Sequence, residues 1–228
     1  MCKKRPLIIF TGSRLPKEAA ELAREKGADV EYLPLIETVL RNTDAPDFSR
    51  YGWLIFTSRN SAEAFCKLHP ETDAKIAAVG DKTAEMLEEH GYAVDFIPST
   101  FSADVFVREF PDIAGKERCL FVRGALAKDT ILSMPLEIDE WTVYDTVKKS
   151  SNAQALAAMS DVTIIFASPS AVSAYREAGG NFKNIKTAAI GHITERAIME
   201  AGGEVHFRPE TYTYLEIIQT IAKGSCSL

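Results

Sequence analysis

One offset runs through this 228-residue chain and limits the folds open to it more than any other feature. Gly80 and Gly191 stand 111 positions apart, and the same shift carries Thr83 to Thr194, Gly91 to Gly202, Pro98 to Pro209 and Ser102 to Thr213. Phe10 maps onto Phe121 at that spacing too. A slip of one residue aligns Ile55-Phe56-Thr57-Ser58 with Ile165-Phe166-Ala167-Ser168, and Ile36-Glu37-Thr38 answers Tyr144-Asp145-Thr146 at 108. Glycines, prolines and hydroxyl residues recurring at nearly one period mean two copies of one supersecondary plan.

Within each copy, short apolar runs alternate with helical patterns. Leu7 to Thr11, Trp53 to Phe56, Ile76 to Val79, Cys119 to Val122, Val162 to Phe166 and Ala188 to Ile190 suit buried parallel strands. Val94 to Ile97 and Glu204 to Phe207 read as further strands. Helical patterns follow from Pro16 to Lys26, through about Leu68, from Lys82 to His90 and from Ala103 to Phe110. Others lie near Lys128 to Ser133, after Asn152, after Ser168 and Gly191, and from about Tyr214 to Ala222. Gly27 and Gly91 serve as stops after helices. Val30 to Leu40 and Glu140 to Val147 are extended, the latter with Trp141 and Val143 on one face and Thr142 and Tyr144 on the other. The expected fold is α/β: two similar parallel-sheet α/β domains.

The chemistry on offer sits where strands run into helices. Thr57, Ser58, Arg59 and Asn60 form one such turn, and Gly80 to Thr83, with Lys82, forms the next. The second copy presents Ser168, Pro169 and Ser170, then Gly191 to Thr194. A helix start leaves backbone N–H groups without partners, so paired turns of this kind can hold carboxylates or phosphates. The plainer reading is that each hydroxyl only caps its own helix, although capping alone does not require the same turn twice. Ser102 and its mate Thr213 belong to the same set. Arg14, Arg59, Lys82 and Arg123 all stand at strand-to-helix turns, where a cation can face an anionic ligand, and Gly124 follows Arg123. Tyr144 is the one weakly acidic side chain on an extended segment between the copies; a core or rim tyrosine is the plain alternative.

Composition excludes several classes. A net charge of −6, with no block of like charges, argues against a general nucleic-acid binder. The apolar run after Lys3-Lys4-Arg5 is too short for a signal peptide, and no segment approaches a membrane span. Cys2, Cys66, Cys119 and Cys226 show no CxxC spacing, and His69, His90, His192 and His206 do not pair at metal-ligand spacing. The expectation is a reduced, cytoplasmic, metal-free protein. No Walker pattern, GxGxxG after a strand, GxSxG elbow or HExxH occurs.

Taken in order, Leu54-Ile55-Phe56-Thr57-Ser58-Arg59-Asn60, Ala78-Val79-Gly80-Asp81-Lys82-Thr83-Ala84, Val122-Arg123-Gly124, Val143-Tyr144-Asp145-Thr146, Phe166-Ala167-Ser168-Pro169-Ser170 and Ala189-Ile190-Gly191-His192-Ile193-Thr194 resemble the uroporphyrinogen-III synthase family. Departures from that pattern fall at Ala171, at His192-Ile193 and at Tyr212-Thr213-Tyr214. The resemblance implies that residues 1–35 join 149–228 in one domain and that 42–138 form the other. Segments 36–41 and 139–148 would pair antiparallel as a two-stranded linker, with substrate in a cleft between the domains. The implied substrate is hydroxymethylbilane, cyclised with loss of water and inversion of ring D, without a cofactor. The turns would hold its many carboxylates, and Tyr144 would assist departure of the hydroxyl. A monomer is expected, with no nucleic-acid or membrane partner and with room for a transient contact with hydroxymethylbilane synthase. The rivals are a non-enzymatic two-domain receptor or regulator for an anionic metabolite and, weakened by the missing phosphate loop, a nucleotide-dependent enzyme.

Overall fold

The structure, a computed structural model, describes residues 5–68 and 70–225. Cys2, His69 and Cys226 lie outside the described residues. In chain order the elements are β1 (Leu7–Phe10), α1 (Lys17–Glu25), β2 (Asp29–Tyr32), β3 (Ile36–Leu40), β4 (Trp53–Phe56), α2 (Arg59–Leu68), β5 (Lys75–Ala78), α3 (Asp81–Glu88), α4 (Ala103–Ala114) and β6 (Cys119–Gly124). Then follow β7 (Ile138–Lys148), α5 (Ser150–Ala157), β8 (Val162–Phe166), α6 (Pro169–Glu177), β9 (Ile185–Ala189), α7 (His192–Glu200) and α8 (Tyr214–Ser225). The chain divides into two compact units, Met1–Glu37 with Val147–Leu228, and Thr38–Thr146.

The first unit carries a four-stranded sheet in the order β2-β1-β8-β9, every pair parallel. Strands β1, β8 and β9 are buried on both sides because side chains alternate between two layers of helix. Ile9, Ile164 and Phe166 face Leu156 of α5, Val172 and Tyr175 of α6 and Ile198 of α7. Ile8, Phe10 and Ile165 face Ala19, Ala20 and Ala23 of α1 and Ile217, Ile218 and Ile221 of α8. Small alanines on α1 let that helix lie close to the sheet, which is why its buried face needs no large side chain.

The second unit repeats the plan on a five-stranded sheet, ordered β3-β7-β6-β4-β5. Leu54, Phe56, Leu120 and Val122 face α2 and α3, while Trp53, Ile55, Cys119 and Phe121 face Phe106 and Phe110 of α4. The rings of Phe106 and Phe110 stack at 4.7 Å, and Trp53 meets Phe110 edge-on at 5.1 Å. Each fully buried ring of this kind contributes about 2–3 kcal/mol by burial.

The repeat is visible in individual hydrogen bonds. Val79 N–H donates to Phe56 C=O at 3.0 Å, and Ile190 N–H donates to Phe166 C=O at 3.3 Å. Gly91 and Gly202 end their helices at φ +87° and +81°, the left-handed conformation that favours glycine. Three expectations change in detail. Val94 to Ile97 and Glu204 to Phe207 form only single bridges, Ala77 to Phe96 and Ala188 to Phe207. Pro98 and Pro209 follow at once and remove the N–H that a longer ladder needs. The stretch near Lys128 to Ser133 is a 3-10 turn over Asp129–Ser133, since Pro135 forces Met134 to an extended ψ of 147°. The extended segments β3 and β7 are hydrogen-bonded neighbours, but β7 also pairs in parallel with β6 from Ile138 to Tyr144. Burial of Trp141 and Val143 ties β7 to this core, with β3 beside it at the edge of the sheet.

Candidate functional site

Parallel strands put all their carboxyl ends on one edge of a sheet, and in open α/β sheets that edge is where ligands bind. In the second unit it gathers the turn after β4, the turn after β5 and the end of β6. Ser58 precedes α2; its hydroxyl accepts from Ser61 N–H at 3.2 Å and donates to Ser61 Oγ at 3.1 Å. Thr57 and Asn60 are half-buried beside it, and Asn60 Nδ2 lies 3.4 Å from Thr38 Oγ1. Gly80 begins α3 in extended conformation, φ −147°, with no side-chain cap. Thr83 is buried behind it.

Tyr144 reaches this edge from β7. The register slips by one between Arg123 and Gly124, so Gly124 pairs with Tyr144. A Cβ at Gly124 would stand 2.3 Å from Tyr144 Cζ, so only glycine lets the ring lie there. The half-buried Tyr144 then brings its hydroxyl to 3.4 Å from Ser58 Oγ. The structure thus gathers Ser58, Gly124 and Tyr144 into one cluster.

The candidate cations divide. Arg123 turns inward, its side chain only 9% exposed, and its guanidinium donates to Asp129 at 3.0 Å, to Glu140 and to Ala127 C=O. Its charge is committed to this internal cluster rather than offered to a ligand. Lys82 pairs with Glu85 at 2.8 Å, and that carboxylate holds its ammonium above the ordinary range. Arg59 is exposed at the first position of α2, near enough to push Lys82 the other way.

The first unit offers the corresponding edge. Ser168 accepts from Ala171 N–H at 3.4 Å and sits 3.1 Å from Ser170 Oγ, and Pro169 occupies the first helical position that Arg59 fills in the other unit. Gly191 begins α7 in extended conformation, φ −145°, again with no side-chain cap, and Thr194 is buried behind it. Arg14 is exposed in the turn after β1. Tyr214 packs its hydroxyl where a Cβ at Gly12 would lie, 2.5 Å away. Its ring packs against Phe10, centroids 5.9 Å apart, and burial pushes its phenol up to about 12.

Ser102 and Thr213 turn out to be caps: Ser102 accepts from Asp104 N–H and Thr213 from Glu216 N–H, each at 3.2 Å. They lie at these edges through the residues before them, which the sequence reading missed as site residues. Phe101 and Tyr212, themselves 111 apart, are 60% and 55% exposed. Phe101 is the nearest neighbour of a Cβ built on Gly80, at 3.8 Å, and the Tyr212 ring of one built on Gly191, at 3.6 Å. Identical contacts of 2.7 Å, Ser102 N–H to Thr100 C=O and Thr213 N–H to Thr211 C=O, fix the two loops alike. The repeat offset was the signal available for them. Tyr212 is braced further by His192 Nδ1 at 3.2 Å, which gives two of the sequence departures one structural cause.

Among the described residues no helix is long and apolar enough to cross a membrane, and no group of three His, Cys, Asp or Glu side chains is placed to hold a metal. An open depression of about 440 Å³ in the first unit, lined by Asp161, Asn184, Lys186 and His206, lies at the amino ends of β8 and β9, opposite the turns.

Comparison with known proteins converges on one family. The chain is 28% identical over 239 residues to uroporphyrinogen-III synthase of Chlorobaculum parvum, covering 93% of this chain and 97% of that one. Among solved structures, uroporphyrinogen-III synthetase from Helicobacter pylori superposes with a TM-score of 0.74 at 19% identity, over 97% of this chain and all of that one. A mutant uroporphyrinogen III synthase from Thermus thermophilus gives 0.69 at 13% identity, over 98% of this chain. At such identities the two structures speak for the fold alone. The family model described as uroporphyrinogen-III synthase HemD matches residues 17–219, and with that span of the chain accounted for, this protein belongs to the uroporphyrinogen-III synthase family.

Proposed function

We propose that the paired turns of each unit hold carboxylates of hydroxymethylbilane and that Tyr144 supplies the proton with which its terminal hydroxyl leaves. The family's reaction closes this linear tetrapyrrole into uroporphyrinogen III with loss of water and inversion of ring D. Spontaneous closure gives the uninverted isomer, so the protein's task is chiefly to hold the chain in the shape that inverts. Backbone amides at Gly80 and Gly191 and the hydroxyl of Ser168 suit that task, being small, fixed and uncharged donors. They also explain how a chain of net charge −6 can take up a polyanion: oriented dipoles act locally, where the global charge is screened.

In the first step the Tyr144 O–H bond breaks and its proton goes to the departing hydroxyl. The C–O electron pair leaves with the water formed, and the pyrrole nitrogen lone pair fills the vacated carbon. The substituted carbon of ring D attacks that centre to give the spiro intermediate, which fragments and recloses. The proton lost as the last ring regains aromaticity restores Tyr144. The observation that carries the assignment is the placement of Tyr144 flat on Gly124, hydroxyl toward Ser58, at the edge where two helix starts converge. In the second unit Thr57, Arg59, Asn60 and Lys82 stand at the same turns with Thr83 behind them; in the first unit Arg14, Pro169 and Ser170 stand at the corresponding turns with Thr194 behind them.

The reading extends to a cytoplasmic monomer that takes its substrate from hydroxymethylbilane synthase. Cys66 and Cys119 are buried free thiols, and burial raises them to about 11. The test is to supply porphobilinogen and hydroxymethylbilane synthase, add this protein, oxidise, and resolve the uroporphyrin isomers. Isomer III is expected; isomer I alone would overturn the proposal.

A further inference from the structure

The hydroxyls around Tyr144 can be counted, and the count fixes a direction. Ser61 is fully buried, and its O–H is taken by Ser58 C=O at 2.8 Å. Ser61 Oγ can therefore only accept from Ser58, whose O–H reaches it at 3.1 Å. Ser61 N–H occupies one lone pair of Ser58 Oγ at 3.2 Å. One lone pair remains, and Tyr144 Oη stands 3.4 Å from it. By this count the phenol is the donor in its contact with Ser58, and the contact is long enough to tighten when substrate binds.

The other unit lacks this chain. Ser168, the mate of Ser58, has Ala171 where Ser61 stands, and its hydroxyl lies against half-buried Ser170 instead. A helix cap needs only the serine; both units have that. The buried second hydroxyl occurs in the unit that carries Tyr144.

We propose that Ser58 is the positioning residue for Tyr144. Its hydroxyl holds the phenol in place before reaction, then swings from Ser61 to donate to the phenolate oxygen as the proton departs. Ser61 keeps Ser58 in the rotamer from which that swing is short. The inference rests on the reading of Tyr144 as proton donor.

A hydrogen bond gained only as charge develops lowers kcat and kcat/KM together when removed, whereas a lost ground-state contact raises KM alone. Ser58→Ala is expected to lower kcat by about tenfold with KM held within about twofold, the range for one bond to a charged acceptor. Ser58→Thr, which keeps the hydroxyl, should restore most of the loss. Ser61→Ala leaves the Ser58 cap intact and copies Ala171 of the other unit, so it tests the relay in a folded protein; a fall of about threefold in kcat is expected. In the background of Tyr144→Phe, Ser58→Ala should cost nothing further in kcat. A rise in KM with kcat unchanged, or an undiminished loss in the Tyr144→Phe background, would overturn the positioning role while leaving Tyr144 as donor. An unchanged rate in Tyr144→Phe alone would overturn the donor reading, and this inference with it.

Discussion

Tyr144 and Gly124 act as one residue pair. Nothing larger than hydrogen fits at Gly124, because a Cβ would overlap the tyrosine ring at 2.3–2.6 Å. Gly124→Ala must therefore move either β6 or Tyr144. It is expected to cost about 1–3 kcal/mol of stability in urea unfolding and to lower kcat as Tyr144→Phe does. Tyr144→Phe itself should lower kcat by up to about 10²-fold and leave unfolding unchanged, in steady-state assays beside urea titrations. The double variant should be no slower than Tyr144→Phe, since each removes the same phenol from the same place. The sequence singled out both residues but not their contact. Gly124 reads only as the end of a strand, and the one-residue slip that pairs it with Tyr144 has no local signature. Arg123 shows the opposite limit: a cation at a strand end is legible, but whether Asp129 and Glu140 claim it depends on a 3-10 turn and a neighbouring strand.

At the scale of elements, the turns were legible because the same residue types recur in both units. A helix that starts without a side-chain cap, as α3 and α7 do at Gly80 and Gly191, leaves a recognisable Gly-x-x-Thr in the chain. Phe101 and Tyr212 share the 111-residue offset but carry no local signature, since an exposed aromatic belongs to no helical or strand pattern. Their exposure makes their removal cheap in stability, within about 0.5 kcal/mol. If they cover substrate beside the glycine turns, Phe101→Ala and Tyr212→Ala should each raise KM by about three- to tenfold, as removal of an apolar contact does. Steady-state kinetics of the folded variants checks this. Strand β7 carries its own pH dependence. Hydrogen bonds from Tyr51 and Arg118 hold the Asp139 carboxyl below its ordinary range. A carboxyl depressed in the folded state stabilises above its unfolded pKa and loses that contribution as pH falls through the folded one. Asp139→Asn should therefore lower stability near neutral pH and flatten the loss on acidification below about pH 4, read as urea midpoints across the range.

For the whole molecule, the repeat explains why so much of the fold could be read. Two units built on one plan print their punctuation twice, and each copy confirms the other: Gly91 with Gly202, Ile190 with Val79, Phe207 with Phe96. What the repeat hides is where the units differ, in the fifth strand, the buried Ser61 and the tyrosine, since alignment rewards likeness alone. The likeness points to carboxylate capture at both glycine turns, and those turns allow a decisive substitution. Gly80 and Gly191 have backbone angles that any residue adopts, with no atom nearer than 3.6 Å to an added Cβ. Aspartate there is a good helix cap, so Gly80→Asp and Gly191→Asp should fold at least as stably as the parent. Each would place its own carboxylate where the proposal puts the substrate's. The direct measurement is KM with the III-to-I isomer ratio for both variants. Capture at both turns predicts KM raised by about tenfold or more, with isomer I increasing as unheld substrate closes by itself. Unchanged KM and an undiminished share of isomer III in either variant would contradict it.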